Sequence, residues 1–123
     1  MTDEAWNVLV QRLAKSKFRS RFKLVGKDLE TARRQLATGE LRGKAEQWLE
    51  NKLFCANPIN DGKKTPMRGY PVFVAQHATA TCCRGCLEKW HHIPQNRPLT
   101  YEERELVLDI IIRWIELHLN SSC

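Results

Sequence analysis

The most constraining feature of this sequence is its apolar C-terminal segment, LTYEERELVLDIIIRWIELHL, residues 99–119. Thr100 followed three residues later by Glu103 is the capping box that opens helices. The remaining apolar side chains fill every face but one, and that one stripe carries Asp109, Arg113 and Glu116. A helix that is apolar on nearly all faces must be buried. We therefore expect this helix to lie in the middle of the fold.

Apolar spacing predicts further helices before this segment. They span about residues 3–17, 27–37 and 40–54, with another element opening at Pro71. Residues 55–71 contain three prolines and two glycines and form the one long loop. A loop of this length in a compact domain usually has a function. The sequence therefore predicts an all-α single domain, residues 1–123, of four to five helices with one long loop at about 55–71.

Length and composition limit the location of the chain. Its 123 residues fit one domain that can bury a core without staples. The C-terminal apolar run is interrupted by charges and too short to span a bilayer, so no membrane partner is expected. The N-terminus MTDEAWNVLV carries acid where a signal peptide would carry lysine or arginine. We therefore expect a cytoplasmic protein, whose five cysteines are thiols, metal ligands or nucleophiles rather than disulfides.

Residues 77–92, HATATCCRGCLEKWHH, hold three of the five cysteines and three of the four histidines. Cys83 and Cys86 have the two-residue spacing of a zinc knuckle. The hypothesis is a Cys2His2 zinc site formed by His77, Cys83, Cys86 and His91. Cys82 or Cys55 could replace a histidine, and His92 could replace His91. Such a site requires the chain to reverse near Gly85, because His77 and Cys83 share no face of a continuous helix.

Three alternatives to zinc remain for this block. Residues 71–93 could form one unbroken helix, in which cysteine serves as a small buried apolar residue. An iron–sulfur cluster could use Cys55, Cys82, Cys83 and Cys86, although the spacing matches no common cluster motif. A cysteine nucleophile is the third: Cys82, Cys83 or Cys86, with His77 or His91 as base and with Arg84 or a helix N-terminus lowering the thiol pKa.

The net charge of +6 is concentrated near the N-terminus, where residues 12–27 contain seven basic residues and no acidic one. Basic residues beside aromatic rings are typical of nucleic-acid binding, with charge for phosphate and rings for bases. The candidate side chains here are Arg12, Lys15, Lys17, Arg19, Arg21, Lys23 and Lys27, extended by Lys63, Lys64 and Arg68 of the loop. The interspersed Phe18 and Phe22 are predicted to be core anchors.

Three stretches of the sequence are similar to a known family. They are RLAKSKFRSRFKL, NDGKKTPMRGYPVFVAQHATATCCRGCLEKWHHI and the later LTYEE with RWIE. Together they resemble the bacterial family of small cytoplasmic proteins called domain of unknown function 4186, over about Arg12 to Glu116. Tyr70 departs from the family pattern, in which a histidine is common at that position. The resemblance implies a small helical cytoplasmic protein and no particular reaction.

Taken together, the sequence predicts a small cytoplasmic binding protein with a Cys/His site for zinc and a basic surface for nucleic acid or another acidic partner. The alternative is an enzyme with a cysteine nucleophile or an open metal position, for which the 55–71 loop would be a lid. A third possibility is that the Cys/His block is helix core and binds no metal. A structural zinc site is closed by four protein ligands, whereas a catalytic one keeps a position open.

Overall fold

The computed structural model describes residues 1–58, 66–67 and 69–121, and within these ranges it contains helices and no strand. The helices are α1 Asp3–Ala14, α2 Gly26–Thr38, α3 Leu41–Leu49, α4 Pro71–Ala78, α5 Arg84–His91 and α6 Tyr101–Ser121, with a short 3-10 helix Arg19–Arg21 after α1. The all-α prediction is confirmed. The described part holds six α-helices rather than the four to five predicted, because the segment that opens at Pro71 divides into α4 and α5.

Helix α6 is the central element, as its sequence predicts. The capping box forms: the Glu103 backbone N–H donates to Thr100 Oγ1 at 3.1 Å, and the Thr100 backbone N–H donates to Glu103 Oε1 at 2.9 Å. The helix packs against α2, α3 and α4. Its buried side chains are Val107, Leu108, Ile110, Ile111, Trp114, Ile115 and Leu119.

The polar stripe of α6 meets the N-terminus of the chain. Arg113 donates through Nη1 to Asp3 at 3.0 Å and through Nη2 to the Met1 carbonyl at 2.9 Å. The amino group of Met1 lies 3.3 Å from Asp109 Oδ2. Asp109 and Arg113 therefore help to hold the start of α1 on the central helix.

Helix α1 packs on a small core of its own beside the main one. Leu9 and Leu13 are buried against Ile110 of α6, and Trp90 of α5 packs against the same cluster. Helix α1 ends at Ala14 rather than near residue 17. This arrangement puts the 3-10 helix that follows α1 next to α4.

Helix α3 ends earlier than predicted, at Leu49. The Leu49 carbonyl accepts from the backbone N–H groups of both Leu53 and Phe54, so the chain turns while both side chains stay buried. Residues 59–65 and 68 of the predicted long loop lie outside the described part. None of the described helices is long and apolar enough to cross a membrane.

Candidate metal site

A buried turn, residues 79–83, separates α4 from α5. Ala80 has a φ of 58°, in the left-handed region that ends a helical run. The Thr81 backbone N–H donates to the Gln76 carbonyl at 2.8 Å, and Gln76 Nε2 donates to the Thr81 carbonyl at 3.1 Å. The hydroxyls of Thr79 and Thr81 lie 3.0 Å apart. These hydrogen bonds determine how the chain enters the cysteine block.

Three cysteines converge where this turn meets α5. Cys83 is the N-cap of α5, and its sulfur accepts from the backbone N–H of Cys86 at 3.3 Å. The sulfur of Cys82 lies 3.7 Å from that of Cys86. All three sulfurs lie within 4.8 Å of one another. Cys82 is buried, and Cys83 and Cys86 are half-buried. The zinc hypothesis from the sequence names Cys82 only as a substitute for a histidine ligand, whereas the iron–sulfur and nucleophile alternatives name it directly.

The two predicted histidine ligands do not join this group. Within the described residues the group contains only the three cysteines. His77 is buried on α4, where its ring stacks on that of Phe22 with centroids 5.6 Å apart. The Nε2 of His91 donates to the Thr79 carbonyl at 2.8 Å, and burial lowers the pKa of the ring. His91 therefore fastens α5 to the turn.

Neither predicted path of the chain through this block is right. The unbroken helix over 71–93 is interrupted at residues 79–83. The expected reversal near Gly85 is also wrong, because Gly85 lies inside the first turn of α5 and the left-handed residue is Ala80. The left-handed residue Ala80 lies between two buried threonines that bond to each other, and it precedes all three cysteines.

Arg19 of the 3-10 helix completes the cluster. Its Nη2 donates to the Cys86 sulfur at 3.2 Å, and its Nη1 donates to the Cys82 sulfur at 3.6 Å and to the His77 carbonyl at 2.8 Å. Burial alone would lower the pKa of Arg19, but the hydrogen bonds that it donates to Cys82 and Cys86 outweigh burial and raise the pKa. Arg19 was predicted to bind phosphate, and the structure places it instead on the thiols.

Phe22 follows the 3-10 helix, and its backbone N–H donates to the Arg19 carbonyl at 3.4 Å. Phe22 packs against the main core, as predicted, and it also stacks on His77. Phe18 was predicted to be a core anchor too, but its ring is 37% exposed. No spacing in the sequence places Arg19 at the cysteines, because its position depends on the packing of the 3-10 helix beside α4.

The electrostatics of the cluster favour one thiolate. Hydrogen bonds from Cys82 and Cys83, followed by the hydrogen bond and charge of Arg19, lower the pKa of Cys86 to about 2 against the effect of burial. The pKa of Cys82 is raised by its hydrogen bonds with Cys83 and Cys86 and by burial. The pKa of Cys83 is also raised. The negative charge therefore belongs to Cys86, which lies beside the guanidinium of Arg19.

Arg84 does not contact the thiols, and Cys55 is not among the clustered cysteines. Arg84 is 1% exposed, and it donates to the carbonyls of Cys55 at 2.5 Å and Pro94 at 2.7 Å. Arg84 therefore holds α5 against two loops. The cation that contacts the sulfurs is Arg19. The Cys55 thiol donates to the Asn51 carbonyl at 3.4 Å. Cys55 lies outside the three-cysteine group, which leaves the four-thiolate cluster without its fourth member.

The other predicted basic residues lie on exposed parts of the chain where they are described. Exposed side chains are those of Arg12, Lys15, Lys17, Arg21, Lys23 and Lys27. Arg12 lies 4.8 Å from the Trp90 ring and donates to the Trp90 carbonyl at 3.0 Å. Lys63, Lys64 and Arg68 lie outside the described residues. His92 is exposed and ends α5 with a left-handed φ of 60°.

Comparison with known proteins identifies a family. Residues 7–116 match the family model described as domain of unknown function (DUF4186). The match covers most of the chain, including all three cysteines and Arg19. No solved structure matches the chain.

Proposed function

Since the chain belongs to the DUF4186 family, whose description names no reaction, we propose a function from the site itself: the protein binds a thiophilic metal ion through Cys82, Cys83 and Cys86. The observation that carries the proposal is the sulfur geometry. Zinc–sulfur bonds of about 2.3 Å in a tetrahedron place two sulfurs about 3.8 Å apart. The sulfurs of Cys82 and Cys86 are already 3.7 Å apart, and Cys83 lies within 4.8 Å of both.

The charge of the surroundings supports the same proposal. Three thiolates around a divalent ion carry one net negative charge. Arg19 donates to two of the sulfurs and would neutralise that charge. The backbone N–H of Cys86 donates to the Cys83 sulfur at 3.3 Å, and such donors are the outer-shell partners that orient metal ligands. Zinc is the ion we propose, because it accepts thiolate ligands without requiring a redox change.

The three sulfurs supply one ligand fewer than a closed structural zinc site has. The described residues place no histidine or carboxylate in the group with them. We therefore propose that a solvent molecule or a small ligand takes the fourth position, as in sites that keep a position open. Cys83 and Cys86 are half-buried rather than sealed, which gives such a ligand a way in.

The proposal is tested by measuring metal content with plasma mass spectrometry after reconstitution with zinc and desalting. We expect one zinc ion per chain in the natural protein. Replacing Cys82, Cys83 or Cys86 with serine should reduce binding at least tenfold, while the control Cys55→Ser should retain it. Failure of the natural protein to retain zinc, or equal retention by the three serine variants, would refute a three-cysteine site.

The histidines separate this proposal from the Cys2His2 hypothesis. His77→Ala and His91→Ala remove both histidines of that hypothesis and none of the sulfurs. We expect each variant to retain one zinc ion per chain, checked alongside its circular dichroism spectrum. If a variant keeps its helical spectrum but loses zinc, the histidine that it lacks is a zinc ligand.

A second candidate function is binding to nucleic acid, favoured by the exposed ring of Phe18. Arg19 and Arg21 lie over this ring at 5.0 and 5.2 Å. An exposed ring among cations is the platform on which single-stranded bases stack. Lys15, Lys17 and Lys23 are exposed in the same segment and would meet phosphate. We propose this segment as the contact for a single-stranded nucleic acid.

Fluorescence anisotropy of a labelled single-stranded oligonucleotide tests this second function. Phe18→Ala and Arg21→Gln should each weaken binding several-fold, while Arg34→Gln on the exposed part of α2 should not. Affinity should fall steeply as salt is raised, because binding to phosphate releases counterions. Equal affinity in all variants would rule out this segment as the contact.

We propose the cytoplasm as the location of the protein, because cysteine thiols suit a reducing compartment.

A further inference from the structure

The sulfurs of Cys82 and Cys86 are held side by side by a single side chain. They lie 3.7 Å apart, and the two Nη atoms of Arg19 donate one to each, at 3.6 and 3.2 Å. A disulfide requires a sulfur–sulfur distance of about 2.0 Å. Side-chain rotation has to close a gap of less than 2 Å, because the two sulfurs already face each other.

The third sulfur has a different role. Cys83 is the N-cap of α5, and its sulfur accepts the backbone N–H of Cys86. A disulfide formed by Cys83 would remove its sulfur as the acceptor for the first turn of α5. A disulfide between Cys82 and Cys86 leaves the Cys83 sulfur in that position. Cys82 is 8% exposed and Cys86 is half-buried, so an oxidant reaches Cys86 first.

We propose that Cys86 and Cys82 form a dithiol pair that peroxide oxidises to a reversible disulfide. The Cys86 sulfur attacks one peroxide oxygen and the O–O bond breaks, which leaves a sulfenic acid and releases one water. The Cys82 sulfur then attacks the Cys86 sulfur, the S–O bond breaks and a second water leaves. Two thiols lose two hydrogens and two electrons in all, and hydrogen peroxide is reduced to two waters.

This modification would regulate the proposed metal site. A disulfide between Cys82 and Cys86 removes two of the three sulfur ligands, so oxidation should release the ion. That consequence rests on the proposed function, whereas the disulfide itself does not. The chemistry is therefore tested first on protein freed of metal by a chelator.

The test treats metal-free protein with a small excess of hydrogen peroxide, alkylates the remaining thiols and maps the tryptic peptides. Cleavage after Arg84 puts Cys82 and Cys86 on different peptides, so the disulfide appears as a linked pair that dithiothreitol separates. Cys83→Ser should keep the linked pair, since serine is itself a good N-cap residue and preserves the helix start. Cys82→Ser should lose it, and Cys55→Ser should behave as the natural protein.

Several outcomes would overturn the inference. They are full alkylation of all thiols after peroxide, a linked pair that survives in Cys82→Ser, and addition of oxygen to Cys86 without a link. Metal binding is measured separately on reduced protein. A linked pair in protein that binds no zinc would support the disulfide and refute only the metal proposal. In zinc-loaded protein, peroxide should release most of the ion in step with the appearance of the linked pair.

Discussion

The guanidinium of Arg19 lies 3.2 Å from the sulfur of Cys86, although 67 positions separate the two residues in the chain. The contact depends on two packing arrangements. The 3-10 helix must dock beside α4, and α5 must begin at Arg84 so that Cys86 turns toward it. The electrostatic character of the cysteine cluster is thus a property of the folded chain.

Removing this cation should make Cys86 harder to ionise. A hydrogen bond to a charged group contributes about 1.5 kcal/mol or more, so Arg19→Gln should raise the pKa of Cys86 by about one unit. Arg21→Gln is the matched control, because its side chain lies over Phe18 instead. The measurement is the pH dependence of Cys86 alkylation in metal-free protein, followed by peptide mapping. Equal profiles for the two variants would show that Arg19 does not set the charge of the thiol.

Arg84 should matter for stability rather than for the thiols. Its 1% exposed guanidinium donates to the carbonyls of Cys55 and Pro94. Arg84→Met leaves both carbonyls without these donors and should lower the free energy of unfolding by about 3 kcal/mol. Urea denaturation checks this, with the exposed Arg34→Gln expected to change it by less than about 0.5 kcal/mol. An effect of Arg84→Met as small as that of the control would mean that these bonds add nothing.

The start of α6 should be sensitive to acid. Hydrogen bonds from Arg97, helped by those from Thr100, lower the pKa of Glu103 from its usual 4.5 to about 2. A carboxyl whose pKa is lowered by folding stabilises the fold above its usual pKa and loses that effect as the pH falls toward 2. Glu103→Gln should therefore flatten the decline in stability between these pH values. The test is thermal unfolding of both proteins between pH 4.5 and about 2. If the melting temperature of Glu103→Gln falls as steeply as that of the natural protein, Glu103 is not the source of the acid sensitivity.

The other half of the capping box makes a prediction at neutral pH. Thr100 Oγ1 accepts the Glu103 backbone N–H at 3.1 Å, and Thr100→Ala removes this acceptor. Loss of a helix N-cap costs about 1 kcal/mol. Urea denaturation should show this decrease, while Thr100→Ser should preserve most of the stability because its hydroxyl can cap in the same way.

The centre of α6 should be the most sensitive part of the core. Ile111 is fully buried, and its replacement by alanine should lower the free energy of unfolding by about 3 kcal/mol through lost burial and a residual cavity. Leu117 on the same helix is 43% exposed and serves as the control. Leu117→Ala should cost less than about 1 kcal/mol. Comparable losses in the two variants would contradict the central position of α6.

Local signals in the sequence were enough to predict α6. The capping box at Thr100 and Glu103 needs only residues three apart, and the apolar faces follow from spacing within one helix. The family resemblance, based on contiguous stretches, is likewise confirmed. The ends of the helices were predicted less well. Helix α3 ends at Leu49, yet Leu53 and Phe54 are buried by the turns that follow it. Their apolar spacing alone does not distinguish these turns from a longer helix.

The candidate site was only half predictable, for a physical reason. The spacing of Cys83 and Cys86 pointed to their convergence, because residues three apart meet at the start of a helix. The position of Cys82 depends instead on the left-handed turn at Ala80 and the bonds between Thr79 and Thr81. Arg19 depends on tertiary docking of a distant segment, which no spacing reveals.

The three proposed ligands lie within five consecutive positions, from Cys82 to Cys86. A chain that has lost its fold still carries these thiols close together, so the denatured ensemble can capture the same ion. A ligand that binds both states stabilises the native one only by the difference between the two affinities. The ion should therefore raise the melting temperature less than one held by distant helices would, and tight binding alone would not report that the domain is folded.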